Sequence, residues 1–392
     1  MTTTTKSALQ FGAGNIGRAF IGVLLSEAGY SVVFADVVQP LIELINERGQ
    51  YSVRSVDGQE EKLITVQGVR AINSRIEAAV IAEISQAALI TTAVGPRVLR
   101  FIAPVIAKGI QKRADMNVTE PLHVIACENL IDNSKILGQY VFEQLPAAYH
   151  DYAKTHVGFP RCVIDKVVTA PSESVQQQDP LLLIAERAGL LIVEREGFIG
   201  EPPAIAGMQL TDDLDAYVEQ KIFTLNTAHA ITAYLGYRKG HEFIHEAIQD
   251  PAVRPIVLAA IEESSAALVK RHNLDASKQK EYVNSVIVRF ENSSLPDPIV
   301  RVARDPKRKL AHNDRIVKPA LLALEMGLTP THLATGIAAG LLYNEASDPQ
   351  AVEIGLARQE KGLEQVLNEV CGLPSEHPLA KLVGEKVMAL GG

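Results

Sequence analysis

The chain has 392 residues, of which 47% are hydrophobic and 21% charged, and its formal net charge is -8. That length supports two domains with cores of their own, and the acidic balance argues against a nucleic-acid partner, which needs a basic surface, without excluding a local basic pocket for an anion. Three scattered cysteines, Cys127, Cys162 and Cys371, give neither a disulfide framework nor a zinc spacing and suit a reducing compartment. No uncharged apolar run approaches the ~18 residues of a membrane span, so the expectation is a cytoplasmic protein with no membrane partner and no metal.

The opening Met1-Thr2-Thr3-Thr4-Thr5-Lys6 is polar, carries no leader-like apolar run and is expected to fray. Ser7-Ala8-Leu9-Gln10-Phe11 suits a buried strand and runs straight into Gly12-Ala13-Gly14-Asn15-Ile16-Gly17. A helix is predicted over 15–28, stopped by Gly29, followed by a β-branched strand from Ser31 that ends at Asp36. Strand, glycines, helix, strand and acid in this register form the dinucleotide fingerprint in its structural context. Gly12 allows the tight turn, Gly14 lets a pyrophosphate reach the backbone, and Gly17 lets helix and strand pack closely. The free N–H groups of the helix N-terminus suit phosphate, and Ala13, Asn15 and Ile16 join the glycines as candidate cofactor contacts. Asp36, about 20 residues on, suits the ribose 2′-hydroxyl and repels a 2′-phosphate, which favours NAD over NADP; the motif alone also fits FAD. Arg18 is either a pyrophosphate contact or a solvated helix residue.

Two further strands follow, 87–95 and 122–127. The first ends in Val94-Gly95-Pro96, facing the cofactor. The second ends at Glu128-Asn129. Ligands of an open parallel sheet sit beyond the carboxyl ends of its strands, so Asn129 is placed near the reacting end of the cofactor, unless it merely caps a turn. Strands are also predicted at 163–168 and 190–194, with a Gly/Pro linker at 198–203.

From residue 211 the pattern becomes helical, with periods over 211–236, 241–249, 253–272, 275–291, 313–326, 330–346, 350–370 and 376–389. The fold class is therefore α/β: a Rossmann-type dinucleotide-binding domain, 1–203, followed by an all-helical substrate domain, 204–392, with the active site expected in the cleft between them. The first helix of the second domain carries Lys221, Asn226 and His229. At roughly 100° per residue all three fall on one side, interleaved with Ile222 and Leu225. A Lys, an amide and an imidazole among apolar residues are costly to bury unless they serve one another or a ligand; the alternative is a solvated helix edge. Arg301, Arg304, Lys307, Arg308 and Lys309 form a basic run in an acidic chain. It reads as a phosphate or carboxylate pocket, or as a solvated loop.

Lys221-x4-Asn226-x2-His229, the glycine turn 12–17, the strand-end Asn129, Tyr234-Leu235-Gly236-Tyr237, His245-Glu246-Ala247-Ile248 and Arg304-Asp305-Pro306-Lys307-Arg308-Lys309-Leu310 together resemble the polyol-specific long-chain dehydrogenases over nearly the whole chain, with the greatest likeness to members acting on mannitol 1-phosphate. The resemblance implies NAD-dependent, metal-independent interconversion of D-mannitol 1-phosphate and D-fructose 6-phosphate, and leans towards a monomer. It implies Lys221 as general base in oxidation, Asn226 and Asn129 as donors to the developing alkoxide, His229 orienting substrate or Lys221, and the basic run holding phosphate. Some members carry a proton-relay Glu three residues before the Lys. Here that position is Val218, and Glu219 points elsewhere on a helix, so no relay is transferred. A free-polyol or hexuronate dehydrogenase is the alternative enzyme, and a non-catalytic NAD-binding regulator the alternative of another class.

Overall fold

Each strand of the main sheet alternates its side chains into two separate cores. In the computed structural model, which describes residues 6–57, 60–169, 171, 173–294 and 296–391, β1 (Ser7–Phe11) sends Ala8 to one core and Leu9 and Phe11 to the other. β2 (Ser31–Asp36) divides Val32 and Phe34 from Val33 and Ala35 in the same way. Burial on both faces is what a parallel sheet between two helix layers requires. The expected fraying of Met1–Thr5 lies outside the described residues.

The chain divides into two compact units, Met1–Tyr217 and Val218–Gly392. In the first, a π-helical segment Gly17–Gly22 leads into α1 (Val23–Glu27), and α2 (Gln39–Arg48) follows β2. β3 (Gln50–Asp57) and β4 (Glu60–Gln67) pair antiparallel, followed by β5 (Arg70–Asn73), α3 (Glu77–Gln86), β6 (Ala87–Thr92) and α4 (Leu99–Asp115). Then come β7 (Leu122–Ala126), α5 (Asn133–Gln144), α6 (His150–His156), β8 (Val157–Gly158), β9 (Cys162–Asp165), β10 (Val168–Thr169), α7 (Glu173–Gln178), β11 (Leu183–Glu186), β12 (Leu190–Glu194) and β13 (Met208–Thr211).

The main sheet has the order β5-β2-β1-β6-β7-β8 with every pairing parallel. This is the doubly wound order of dinucleotide-binding domains. Strand order reverses between β1 and β6, so the carboxyl ends of those two strands bound the crevice where a ligand is expected. Two smaller sheets, β10-β11-β3-β4 and β13-β12-β9, complete the unit. The sequence boundary at 203 falls short of β13, which pairs with β12 from Leu191 to Glu194. The run 163–168 is broken in two, since β9 ends at Asp165.

The second unit is helical among its described residues. α8 (Leu214–Gln220), which crosses the boundary between the units, runs into a π-helical segment, Lys221–Asn226, and then α9 (Thr227–Lys239). α10 (Ile244–Gln249), α11 (Arg254–His272), α12 (Ala276–Glu291), the short α13 (Ile299–Ala303) and α14 (Pro306–Lys309), α15 (Val317–Glu325) and α16 (Thr331–Leu341) follow. The helix predicted over 350–370 is two, α17 (Pro349–Lys361) and α18 (Leu363–Cys371), broken at Gly362 with φ +83°. α19 (Pro378–Ala389) closes the unit. α9 sits centrally: Ala228, Ala230, Ile231, Ala233, Tyr234 and Leu235 all belong to the main core. No helix of the described residues is long and apolar enough to cross a membrane.

Candidate active site

The glycine turn is built as the spacing requires. Gly12 has φ +89°, and a Cβ there would lie 2.6 Å from the Ala93 carbonyl oxygen. A Cβ on Gly17 would lie 2.1 Å from the Gly12 carbonyl oxygen, so the helix touches the strand turn directly. Gly14 has open space around it, and Gly14 and Asn15 are exposed, with Ile16 partly so. Gly12 and Gly14 line a cavity of about 540 Å³ with Asp36, Val94, Ser74 and Arg75. The Asp36 carboxylate accepts from the backbone N–H of Ala13 at 2.7 Å, and from those of Val37 and Val38 at 2.7 and 3.0 Å. One residue therefore ties the end of β2 to the glycine turn while lining the cavity. Overpacking a tight contact costs about 1–3 kcal/mol, so Gly17→Ala is expected to lower the Tm by several degrees in a thermal melt.

For Arg18 the structure overturns one of the two sequence readings, the solvated helix residue: the side chain is only 6% exposed. Its guanidinium is turned inward, where Nε donates to the Ala13 carbonyl at 2.7 Å and Nη1 to that of Leu181 at 2.8 Å. Tyr51 donates its hydroxyl to the Arg18 carbonyl at 2.7 Å. Arg18 braces the glycine turn through the Ala13 carbonyl.

Beyond β6 and β7, Glu128 is the organising side chain that sequence reasoning missed. It is 6% exposed. Its Oε2 accepts from the Thr92 hydroxyl at 2.6 Å and its Oε1 from the Val94 N–H at 2.9 Å. Burial raises its pKa, against the lowering effect of these bonds. Glu128 thereby joins the two strand ends and fixes the Val94 loop, while the next residue, Asn129, is exposed at the carboxyl edge of the sheet.

In the second unit the π-helical segment carries the motif. Phe223, Thr224, Leu225, Thr227 and Ala228 are buried, whereas Lys221, Asn226 and His229 are each partly exposed. In a π-helix the hydrogen bond closes from i to i+5, and such turns are frequent at functional sites. The wider turn brings Asn226 back beneath Lys221, closer in rotation than the roughly 140° of an α-helix would place it. Thr227, next in the chain, bonds the Ile222 carbonyl at 3.0 Å and also the Arg315 carbonyl. Ser264 donates to the Phe223 carbonyl at 2.6 Å. The amide oxygen of Asn226 is buried without a protein partner, a cost of about 1–3 kcal/mol and the kind of orphan that marks a ligand site. Glu219 accepts from His272 Nε2 at 2.7 Å and Arg271 Nε at 3.1 Å, and Val218 is buried.

His229 has a partner the sequence did not reveal. Its Nε2 lies 3.0 Å from Asp297 Oδ2, and its ring stacks on Phe290 with centroids 4.9 Å apart. Arg301 Nε and Nη2 donate to the other carboxylate oxygen at 2.7 and 2.6 Å. The one sequence signal for this was an acid four residues before an Arg. Burial lowers the His229 pKa despite Asp297, and the bonds from His229 and Arg301 hold the Asp297 carboxyl low despite its burial.

The basic run is divided by the fold. Arg301 pairs with Asp297, and Lys307 with Glu353. Lys309 is 5% exposed and donates to the Arg304 carbonyl. Burial, with the charges of Arg308 and Arg315, brings its pKa down to about 7. Arg315, absent from the sequence reading, is 8% exposed and bonds Asp314 at 2.7 Å. Arg304 and Arg308 remain exposed. Among the described residues no cluster of three His, Cys, Asp or Glu side chains is arranged to hold a metal.

A doubly wound domain with a glycine-turn cavity, followed by a helical unit presenting Lys and Asn on a π-helical segment and His on the α-helix that continues it, defines a two-domain dehydrogenase architecture. The sequence profile of the mannitol dehydrogenase Rossmann domain matches residues 6–207, and that of the mannitol dehydrogenase C-terminal domain matches residues 213–390. The chain belongs to the mannitol dehydrogenase family, oxidoreductases acting on a CH–OH group. Its fold is similar to that of Pseudomonas fluorescens mannitol 2-dehydrogenase, solved as a ternary complex with NAD and D-mannitol (TM-score 0.79, 18% identity, over 99% of this chain and 92% of that one). It is also similar to a D-sorbitol dehydrogenase solved in substrate-free form (TM-score 0.76, 18% identity, over 98% and 93%).

Proposed function

We propose that this protein catalyses the NAD-dependent, metal-independent, reversible oxidation of D-mannitol 1-phosphate to D-fructose 6-phosphate, the reaction of a mannitol-1-phosphate 5-dehydrogenase. It acts in the cytoplasm and as a monomer. The observation that carries the phosphate is the surplus of cations around Lys309. Burial, and after it the charges of Arg308 and Arg315, lower the pKa of Lys309, and burial with the charge of Arg315 lowers that of Arg308; an anion relieves that repulsion. A carboxylate would do so too, so a hexuronate is the second substrate class to test.

NAD, when bound, accepts the hydride from the carbinol carbon. The glycine turn offers its N–H groups to the pyrophosphate and Asp36 accepts from the adenosine ribose. Lys221 takes the hydroxyl proton in oxidation and returns it in reduction. Asn226 donates to the developing alkoxide, a contribution of about 3 kcal/mol per donor, and Asn129 is the second candidate donor. Arg304, Arg308 and Lys309 hold the phosphate, which ties selectivity to a group remote from the reacting carbon.

The test is reduction of fructose 6-phosphate and, in parallel, of fructose and a panel of uronates, followed by NADH consumption. Turnover of the phosphate alone supports the proposal. Turnover of free fructose or a uronate at equal efficiency overturns the phosphate assignment, and turnover of none supports a non-catalytic NAD-binding protein. Asp36→Asn is expected to weaken NADH binding roughly tenfold, the scale of one charge-assisted hydrogen bond, and to narrow the preference over NADPH, measured by fluorescence titration of both.

A further inference from the structure

Asp297 sits in the segment between α12 and α13, 6% exposed, and its two oxygens are divided between different partners. Oδ1 takes both guanidinium bonds from Arg301, and Oδ2 faces His229 Nε2. We propose that Asp297 is a positioning residue for His229: it fixes the imidazole as the Nε2–H tautomer, so that Nδ1 presents a lone pair to a hydroxyl of the substrate. This rests on the dehydrogenase reading above.

The hydrogen-bond inventory leaves little choice. An ionised carboxylate only accepts, and Asp297, held by a guanidinium, is ionised. The nitrogen facing it must therefore carry the proton. The charged groups around the ring are Asp297 and Arg301 from the α13 side and Arg289 from α12. The two arginines disfavour a second ring proton and burial does the same, so the imidazole stays neutral and Nδ1 stays an acceptor. Phe290 stacked at 4.9 Å fixes the plane of the ring. A polyol chain offers several hydroxyl donors, and a neutral, rigidly held acceptor two turns along the helix from Lys221 can take one without competing for the Lys proton.

Asp297→Asn separates this role from simple bracing. Arg301 has only donors, so the amide oxygen of Asn must face it, and the amide NH₂ must face His229. Nε2 then becomes the acceptor and the ring proton moves to Nδ1, which turns the substrate-facing atom from acceptor to donor. The expected result is a loss of kcat of roughly 10²-fold, with Tm and NADH affinity close to wild type. In ¹⁵N spectra of histidine-labelled protein, the His229 signals, assigned by their absence in His229→Ala, should show Nε2–H in the wild type and Nδ1–H in Asp297→Asn. In the His229→Ala background Asp297→Asn should cost nothing further, since the two act as a unit. An unchanged tautomer, an unchanged kcat, or an equal loss in the His229→Ala background overturns the proposal. If the Asn variant does not fold, the wild-type spectrum decides alone: a ring protonated at Nδ1 overturns it. The tautomer is read without substrate, so a wild type that reduces no sugar phosphate, ketose or uronate defeats the functional reading and leaves this result to stand by itself.

Discussion

Replacing Lys221 with alanine is expected to lower kcat for fructose 6-phosphate reduction by roughly 10³-fold, within the usual range for a general acid or base, while NADH binding is kept. The side chain opens the π-helical segment and is partly exposed, with its apolar neighbours Phe223 and Leu225 buried. Its removal therefore leaves the packing of the helix in place, and a loss of rate reports chemistry. A lysine free in water has a pKa near 10.4. To accept a proton at neutral pH it must sit beside positive charge or away from water, and the rescue of Lys221→Ala by small primary amines of graded basicity measures that requirement directly. The proton has no carboxylate relay within the motif. Val218 stands where one would be, and Glu219 is held by His272 and Arg271. A variant that keeps most of its rate would show that another group moves the proton.

The first unit was legible because its signals are local. β1, the glycine turn, β2 and Asp36 fall within thirty residues, and each step has its own backbone demand: positive φ at Gly12, and a contact at Gly17 too close for any Cβ. The antiparallel pair β3 and β4 went unread although Tyr51 and Val53 alternate inward. The outer face of β4 is polar and exposed along most of its length, so the pattern is weak. The inward turn of Arg18 was not legible for a physical reason: only the tertiary fold shows the Ala13 and Leu181 carbonyls that accept from it. The same holds for Asp297 and Arg315, whose partners are His229, 68 residues away, and Thr227, 88 residues away. Sequence periodicity placed Lys221, Asn226 and His229 on one face but assumed an α-helix. The π turn, which changes how Asn226 stands under Lys221, depends on packing against α11 and α12 and leaves no mark in composition.

Arg308→Gln is expected to raise KM for fructose 6-phosphate by roughly 10- to 100-fold with kcat little changed, the scale of one charge-assisted bond to phosphate. Beneath Arg308, Lys309 makes the same site pH-dependent. With its pKa brought to about 7, Lys309 is charged below that value and neutral above it. Anion binding favours the charged form, so above pH 7 binding takes up a proton and KM rises with pH. The phosphate's own second ionisation, near pH 6, acts in the opposite direction but is complete by then, so the rise above pH 7 belongs to the protein. Lys309→Met should flatten it, which initial rates between pH 6 and 9 will show. The stability sign follows from the same shift. In the unfolded chain the lysine titrates near 10.4, so between about 7 and 10 the unfolded state binds more protons and stability rises with pH. Below pH 7 the folded protein bears the full cost of a buried cation among other cations. Lys309→Met is therefore expected to raise the Tm most at pH 6 without sugar phosphate, even as it weakens substrate binding there. A Tm that falls at pH 6 would mean that the ammonium bond to the Arg304 carbonyl outweighs the repulsion, and that the cation cluster needs no anion to be stable.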